Sequence, residues 1–144
     1  MTADLHEKDF YAWVRHQSQL LKQGQFSDLD IVHLIAEIED MGGTLHRQLG
    51  SRLEVLLMHL LKWHHQPNLR GKSWQLTIAE QRRRIGKLLR KNPSLRIELD
   101  AALVDSYEDA RFSAMLETGL DIAVFPESCP FSLAEVLDPD YLPA

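Results

Sequence analysis

The sequence predicts an all-α fold, on three observations. Apolar residues recur at helical spacing nearly throughout, no convincing alternating strand interrupts them, and the apolar stretches are bounded by capping residues, glycine or proline. The expected architecture is a single-domain helical bundle of about five helices around a central apolar helix, Leu49 to Trp63, with a Pro-containing C-terminal tail. Residues 1–118 would form the bundle core, and residues 119–144 an extended tail with one short helix. The chain's 144 residues are the size of one domain and should bury about 68–70% of the unfolded surface. The apolar content of 44% and charged content of 26% are ordinary for a globular chain.

The elements follow in order. Asp4 followed by Glu7 has capping-box spacing. Phe10, Trp13, Val14, Gln17, Leu20 and Leu21 then share one face, and Gly24 can close that helix in the left-handed conformation. Ser27 or Asp28 is placed to cap a second helix, whose Ile31, Leu34, Ile35, Ile38, Met41 and Leu45 lie within about 120° of arc. An unbroken helix from Leu29 to His65 would be about 55 Å long, against a radius of gyration near 14–15 Å for a compact domain of this length. A break at Gly42-Gly43, with Thr44 recapping, is therefore expected; a straight helix shared with a second subunit is the alternative. From Leu49 to Trp63 the pattern is apolar on nearly every side, as in a central helix. Pro67 ends it and a polar loop follows. Ser73 caps a fourth helix through Trp74, Ile78, Gln81, Ile85, Leu88 and Leu89, closed by Asn92-Pro93. A fifth helix runs from Ser94 to about Glu117 and stops at Gly119. It carries one stripe of Leu95, Leu99, Leu103 and Ala110 and a second of Ile97, Val104 and Met115, while Ala102, Ser106, Ala110 and Ala114 permit close approach. In the tail, Ser132 with Glu135 three residues on marks a short helix.

Charge is organised by segment. Residues 62–91 hold nine of the 16 Lys and Arg and one acid, Glu80, a formal +8 inside a chain of net charge −5. With Glu80 at 0° on the fourth helix, Arg83, Arg84, Lys87, Arg90 and Lys91 span about 280° through 0° to 40°, opposite the apolar face. Arg82 falls at the core boundary, where a guanidinium is usually paired. A concentrated field attracts an oppositely charged surface, so an acidic protein or a nucleic-acid backbone is the expected kind of partner. The competing reading is a plain solvated face partly neutralised by the acidic fifth helix. The stripe lacks interleaved aromatics for base stacking and the whole chain is acidic, which weighs against nucleic acid.

His59 lies between Met58 and Leu60 in the most apolar helix. Buried, it would be neutral and would need a hydrogen-bond partner, with Glu37 and Tyr107 as candidate neighbours. The leading expectation is a non-enzymatic binding or adaptor module using the basic helix. The alternative is a metal-dependent or acid–base enzyme whose polar pocket gathers Glu37, His59, Lys62 and Arg82 between helices. Metal templates fit poorly: a single Asp30-x-x-His33 is expected at the surface, and His64-His65 read as a helix-end pair. The single cysteine, Cys129, excludes an intramolecular disulfide, and it has no nearby base to activate it. No cofactor is implied. The longest apolar run, Phe10 to Val14, is five residues, far short of a membrane span of about 20. The N-terminus has no secretory pattern, so a cytoplasmic setting is expected, as a monomer or homodimer.

Several segments together carry a family resemblance: Asp9-Phe10-Tyr11-Ala12-Trp13, Leu29-Asp30, Glu37-Ile38-Glu39-Asp40-Met41-Gly42, His59-Leu60-Leu61-Lys62-Trp63 with Gln66-Pro67, Ser73-Trp74, Thr77-Ile78, Gln81-Arg82-Arg83, Ser94-Leu95, Tyr107-Glu108-Asp109-Ala110-Arg111, and Phe125-Pro126 with Cys129-Pro130. On these the chain resembles family twenty-nine of the domains of unknown function, small bacterial proteins. Ala36 departs from the pattern, standing where a second Glu is expected before Ile38. The resemblance implies an all-helical fold and a bacterial cytosolic setting. It implies no established activity and no catalytic residues.

Overall fold

The computed structural model describes residues 2–144, with side chains from Leu5 onward. Among them are six α-helices joined by short 3-10 turns and no strand: α1 (Thr2–Lys8), α2 (Phe10–Lys22), α3 (Ile31–His65), α4 (Lys72–Lys91), α5 (Leu99–Thr118) and α6 (Leu133–Leu137). The fold is all-α, as the periodicity predicts. The chain divides into two compact units, one ending at Leu45 and the other starting at His46, so the division falls inside α3.

In the first unit, α1 already runs through position 4, whose side chain lies outside the described residues, so a cap there is not what starts the helix. Asp9 is the cap that matters: its carboxylate accepts from the Ala12 amide at 3.0 Å and opens α2. Only Trp13, Gln17 and Leu20 of the predicted α2 face are buried; Phe10, Val14 and Leu21 remain exposed. Gly24 closes α2 at φ 71°. The Gln25 amide donates to Leu20 O and the Gly24 amide to Leu21 O, the paired bonds of a Schellman turn. The cap of α3 is Asp30, not Ser27 or Asp28, which lead into or form a 3-10 turn. The Asp30 carboxylate accepts from the His33 amide at 3.4 Å.

The expected break at Gly42-Gly43 does not occur: α3 is continuous for 35 residues, about 52 Å. Two glycines weaken a helix interior by roughly 1 kcal/mol each without forbidding it, and Thr44 donates its hydroxyl back to Asp40 O instead of recapping. The length argument fails because α3 belongs to two compact units and need not fit inside one.

The second unit is built on the stretch read as the central helix. Leu49, Leu53, Leu56, Leu57, Met58, Leu60, Leu61 and Trp63 are all buried. Against it α4 brings Ile78, Ile85 and Leu89, and α5 brings Leu99, Ala102, Leu103, Ser106, Tyr107, Ala110 and Ala114. The small residues do allow the close approach: the Ser106 hydroxyl donates to Ala102 O at 2.6 Å and lies 3.2 Å from Gly50 O of α3. Two expectations are corrected. Ser73 does not cap α4, which begins at Lys72 after Gly71. The segment Pro93–Glu98 is a 3-10 turn, so α5 starts at Leu99, and the second stripe is not a packing face, since Ile97 and Val104 lie in solvent. Gly119 ends α5 at φ 75°.

The tail belongs to this unit and is packed into it. Phe125, Phe131 and Val136 are buried. Three side chains from the helices hold its backbone: Tyr107 donates to Pro126 O, Arg111 to Phe125 O and Ile122 O, and Arg82 to Val136 O and Glu135 O. The Ser132–Glu135 capping box that opens α6 is present in both directions.

Candidate functional site

Helix α4 sorts its residues by angle. Ile78, Ile85 and Leu89 are buried, and Arg82 joins them at 7% exposure. Arg83, Arg84, Lys87, Arg90 and Lys91 are all exposed. Glu80 gathers the first two: Arg83 donates Nε and Nη2 to its two oxygens at 3.0 and 2.9 Å, and Arg84 donates Nε at 2.5 Å. Those hydrogen bonds, Arg83's first, pull the Glu80 carboxyl down to about 2. Among the described residues no ion pair engages Lys87, Arg90 or Lys91. Arg90 lies close to the helix: its Nη1 is 3.2 Å from where a Cβ at Gly86 would stand. Arg90 and Lys91 also occupy the last turn, where cations are favoured by the helix dipole. What neutralisation the stripe receives comes from its own helix rather than from α5.

The four residues expected to share a pocket each have other partners. Glu37 takes the His6 Nε2 at 2.8 Å. His59 bonds through Nδ1 to Val55 O of its own helix at 2.8 Å, so neither Glu37 nor Tyr107 serves it. Burial pushes the His59 imidazole below its usual range, keeping it neutral. Lys62 reaches Glu117 at 3.3 Å and lies over the Trp74 ring at 4.9 Å. Arg82 is spent on the tail carbonyls, and burial lowers its pKa too. The cleft that Arg82 lines, about 210 Å³ with Gln75, Ile78, Ala79, Pro139, Asp140 and Leu142, contains none of the other three. His64 and His65 meet edge to face at the end of α3, with His65 against Phe125. Burial also raises the Cys129 thiol, which is unlike an activated nucleophile.

The polar constellation that sequence reasoning missed lies in the first unit. Asp30 is not at the surface; its side chain is 9% exposed. It accepts from Trp13 Nε1 at 2.9 Å and pairs with His33 Nδ1 at 2.8 Å, while its amide donates to the buried Gln17 at 2.8 Å. The His6 ring stacks on His33 with centroids 4.0 Å apart. Burial alone would raise the Asp30 carboxyl; the hydrogen bonds from Trp13 and His33 outweigh it and hold the group below the usual carboxylate range. The arrangement orients an imidazole by a carboxylate, but the bonds Asp30 makes with Trp13 and Gln17 also tie α2 to the start of α3. The available signal was Gln17, a polar residue on the apolar face of α2 that needed a buried partner. Among the described residues, no group of three or more His, Cys, Asp or Glu could hold a metal ion.

The model of the family described as Domain of unknown function DUF29 matches residues 5–142. The chain belongs to that family. No curated protein and no solved structure matches it. No helix among the described residues is long and apolar enough to cross a membrane.

Proposed function

We propose that this DUF29 protein is a non-enzymatic binding module that presents the exposed face of α4 to an anionic partner, with an acidic protein surface favoured over a nucleic-acid backbone. The observation that carries the reading is the unequal neutralisation of the stripe. Glu80 occupies Arg83 and Arg84, whereas Lys87, Arg90 and Lys91 stand exposed and without acid partners among the described residues. Cations held on a rigid helix lose less freedom on binding than cations on a loop. Buried Ile78, Arg82, Ile85 and Leu89 anchor the opposite face. The stripe itself contains no aromatic ring for base stacking.

The acid–base alternative loses ground because Glu37, His59, Lys62 and Arg82 each meet a different group. The test compares wild type with the triple variant Arg84→Gln, Lys87→Gln, Lys91→Gln. Heparin retention and capture of an acidic protein from a bacterial lysate should both fall, with the fold unchanged by circular dichroism. Titration with duplex and single-stranded DNA and RNA at two salt concentrations separates the partners. A nucleic-acid partner would show a log–log salt slope near −0.9 per phosphate contact on duplex DNA. Equal capture and retention by both proteins would end the reading.

A further inference from the structure

Along the first half of α3, Ile31, Ile35, Ile38, Gly42 and Leu45 recur in alternating steps of four and three residues. That spacing keeps one helix face turned toward a partner helix. Ile31, Ile35 and Ile38 are 52%, 51% and 61% exposed, Val32 and Met41 beside them 75% and 61%, and Leu45 is half-buried. Gly42 lies on the same seam. Glycine weakens a helix interior relative to alanine. Among the described residues, a Cβ at position 42 would meet nothing within 4 Å, so their packing does not call for glycine there. A second helix crossing at that point would.

We propose that this seam is a homodimer interface in which α3 of one copy crosses α3 of a second copy antiparallel. That sense sets large seam residues against the small one. With Ile31 against the partner's Gly42, Ile35 falls opposite the partner's Ile38, and the two-fold axis repeats both contacts. A parallel pairing would set Gly42 against Gly42 and leave a void where the antiparallel one places a side chain. The five exposed side chains offer on the order of 500 Å² per copy, so the interface would bury about 1,000 Å² in total, the lower bound for a specific one. Dimerisation is therefore concentration-dependent. The proposal does not rest on the basic face of α4.

Sedimentation velocity in reductant, from low-micromolar to near-millimolar chain, should show monomer giving way to dimer. Gly42→Leu and Ile35→Glu should each raise the dimerisation midpoint at least about tenfold. Circular dichroism should stay helical, since a Cβ at position 42 meets none of the described residues within 4 Å. Orientation is read from an Ile31→Cys, Gly42→Cys, Cys129→Ser chain oxidised as the dimer: peptide mapping should find residue 31 joined to residue 42 of the other copy. Joins of 31 to 31 and 42 to 42 overturn the antiparallel crossing. A chain that stays monomeric throughout, or a dimer indifferent to both substitutions, overturns the interface and leaves the seam to the helix of another protein.

Discussion

Replacing Arg82 by alanine should loosen the tail before it loosens the bundle. Arg82 is 7% exposed and donates Nε to Val136 O at 2.8 Å and Nη2 to Glu135 O at 3.2 Å. Glu135 O also receives the Asp138 amide, so Val136 O is the acceptor that depends most on Arg82. A hydrogen bond to a charged donor is worth about 1.5–3 kcal/mol. The second bond is longer and its acceptor is shared. Against the gain stands the cost of keeping a guanidinium out of water, which substitution relieves. A net loss of about 2–4 kcal/mol in local stability follows. At 1.4 kcal/mol per factor of ten, amide exchange in α6 should accelerate roughly 30- to 700-fold. The readout is hydrogen exchange at the Val136 and Asp138 amides, which bond to Ser132 O and Ala134 O. Arg82→Lys keeps the charge but not the fork, and should recover only part of the protection. Unchanged exchange at these amides beside a lowered melting temperature would refute the reasoning, because Arg82 would then be supporting α4 rather than the tail.

His59→Leu should change stability at pH 7 by less than about 1 kcal/mol, because Val55 O keeps the helix bond from the residue-59 amide and no acceptor is orphaned; thermal melts check it. The wild type should lose stability as pH falls below 6.5, the usual histidine value. Burial depresses His59 and His65, so the unfolded chain takes up more protons, and the loss proceeds as pH drops through their folded values. Melts between pH 7.5 and 5 should show a shallower slope in His59→Leu. Asp30 has the opposite protonation chemistry and the same sign: its contribution is present above the usual carboxylate value near 3.8 and is lost as pH falls through its lower folded value. Asp30→Ala removes the α3 cap and the Trp13 bond together and should cost about 2–4 kcal/mol by denaturant titration. Gly119→Ala forces a Cβ into the left-handed region at φ 75° and should cost about 1–2 kcal/mol, a loss of several degrees in melting temperature.

What could be read from the sequence about the fold was whatever a single helix states about itself. The stretch from Leu49 to Trp63 is apolar all round, and no environment but an interior suits it. Gly24, Gly119 and the Ser132–Glu135 pair announce helix ends through local chemistry, and all three behave accordingly. The errors arise where the answer depends on chain elsewhere. Gly42-Gly43 looked like a break because a long α3 seemed too long for one compact body; the division into two units removes that premise. Ile97 and Val104 have helical spacing with Met115, yet spacing does not supply a partner: Ile97 falls in the 3-10 turn before α5, Val104 within α5, and both lie in solvent.

The site divides the same way, and two adjacent arginines show why. Successive residues on a helix point about 100° apart, so Arg82 and Arg83 leave α4 in different directions from neighbouring positions. The angle was legible: it put Arg82 at the core boundary and Arg83 in the outward stripe, as the exposures have it. The role was not. Arg83 meets Glu80 three residues away, a pairing the sequence displays. Arg82 meets backbone carbonyls 53 and 54 residues on, and a carbonyl has no residue type by which it could be recognised. Asp30, expected at the surface, has its side chain covered because Trp13 and Gln17 of α2 meet it there. A polar group's exposure follows from its own helix, but whether it is free to act follows from what distant chain has already claimed it. By that criterion Arg82, His59 and Asp30 are occupied in holding the fold, whereas no ion pair among the described residues engages Lys87, Arg90 or Lys91 on the face proposed to bind.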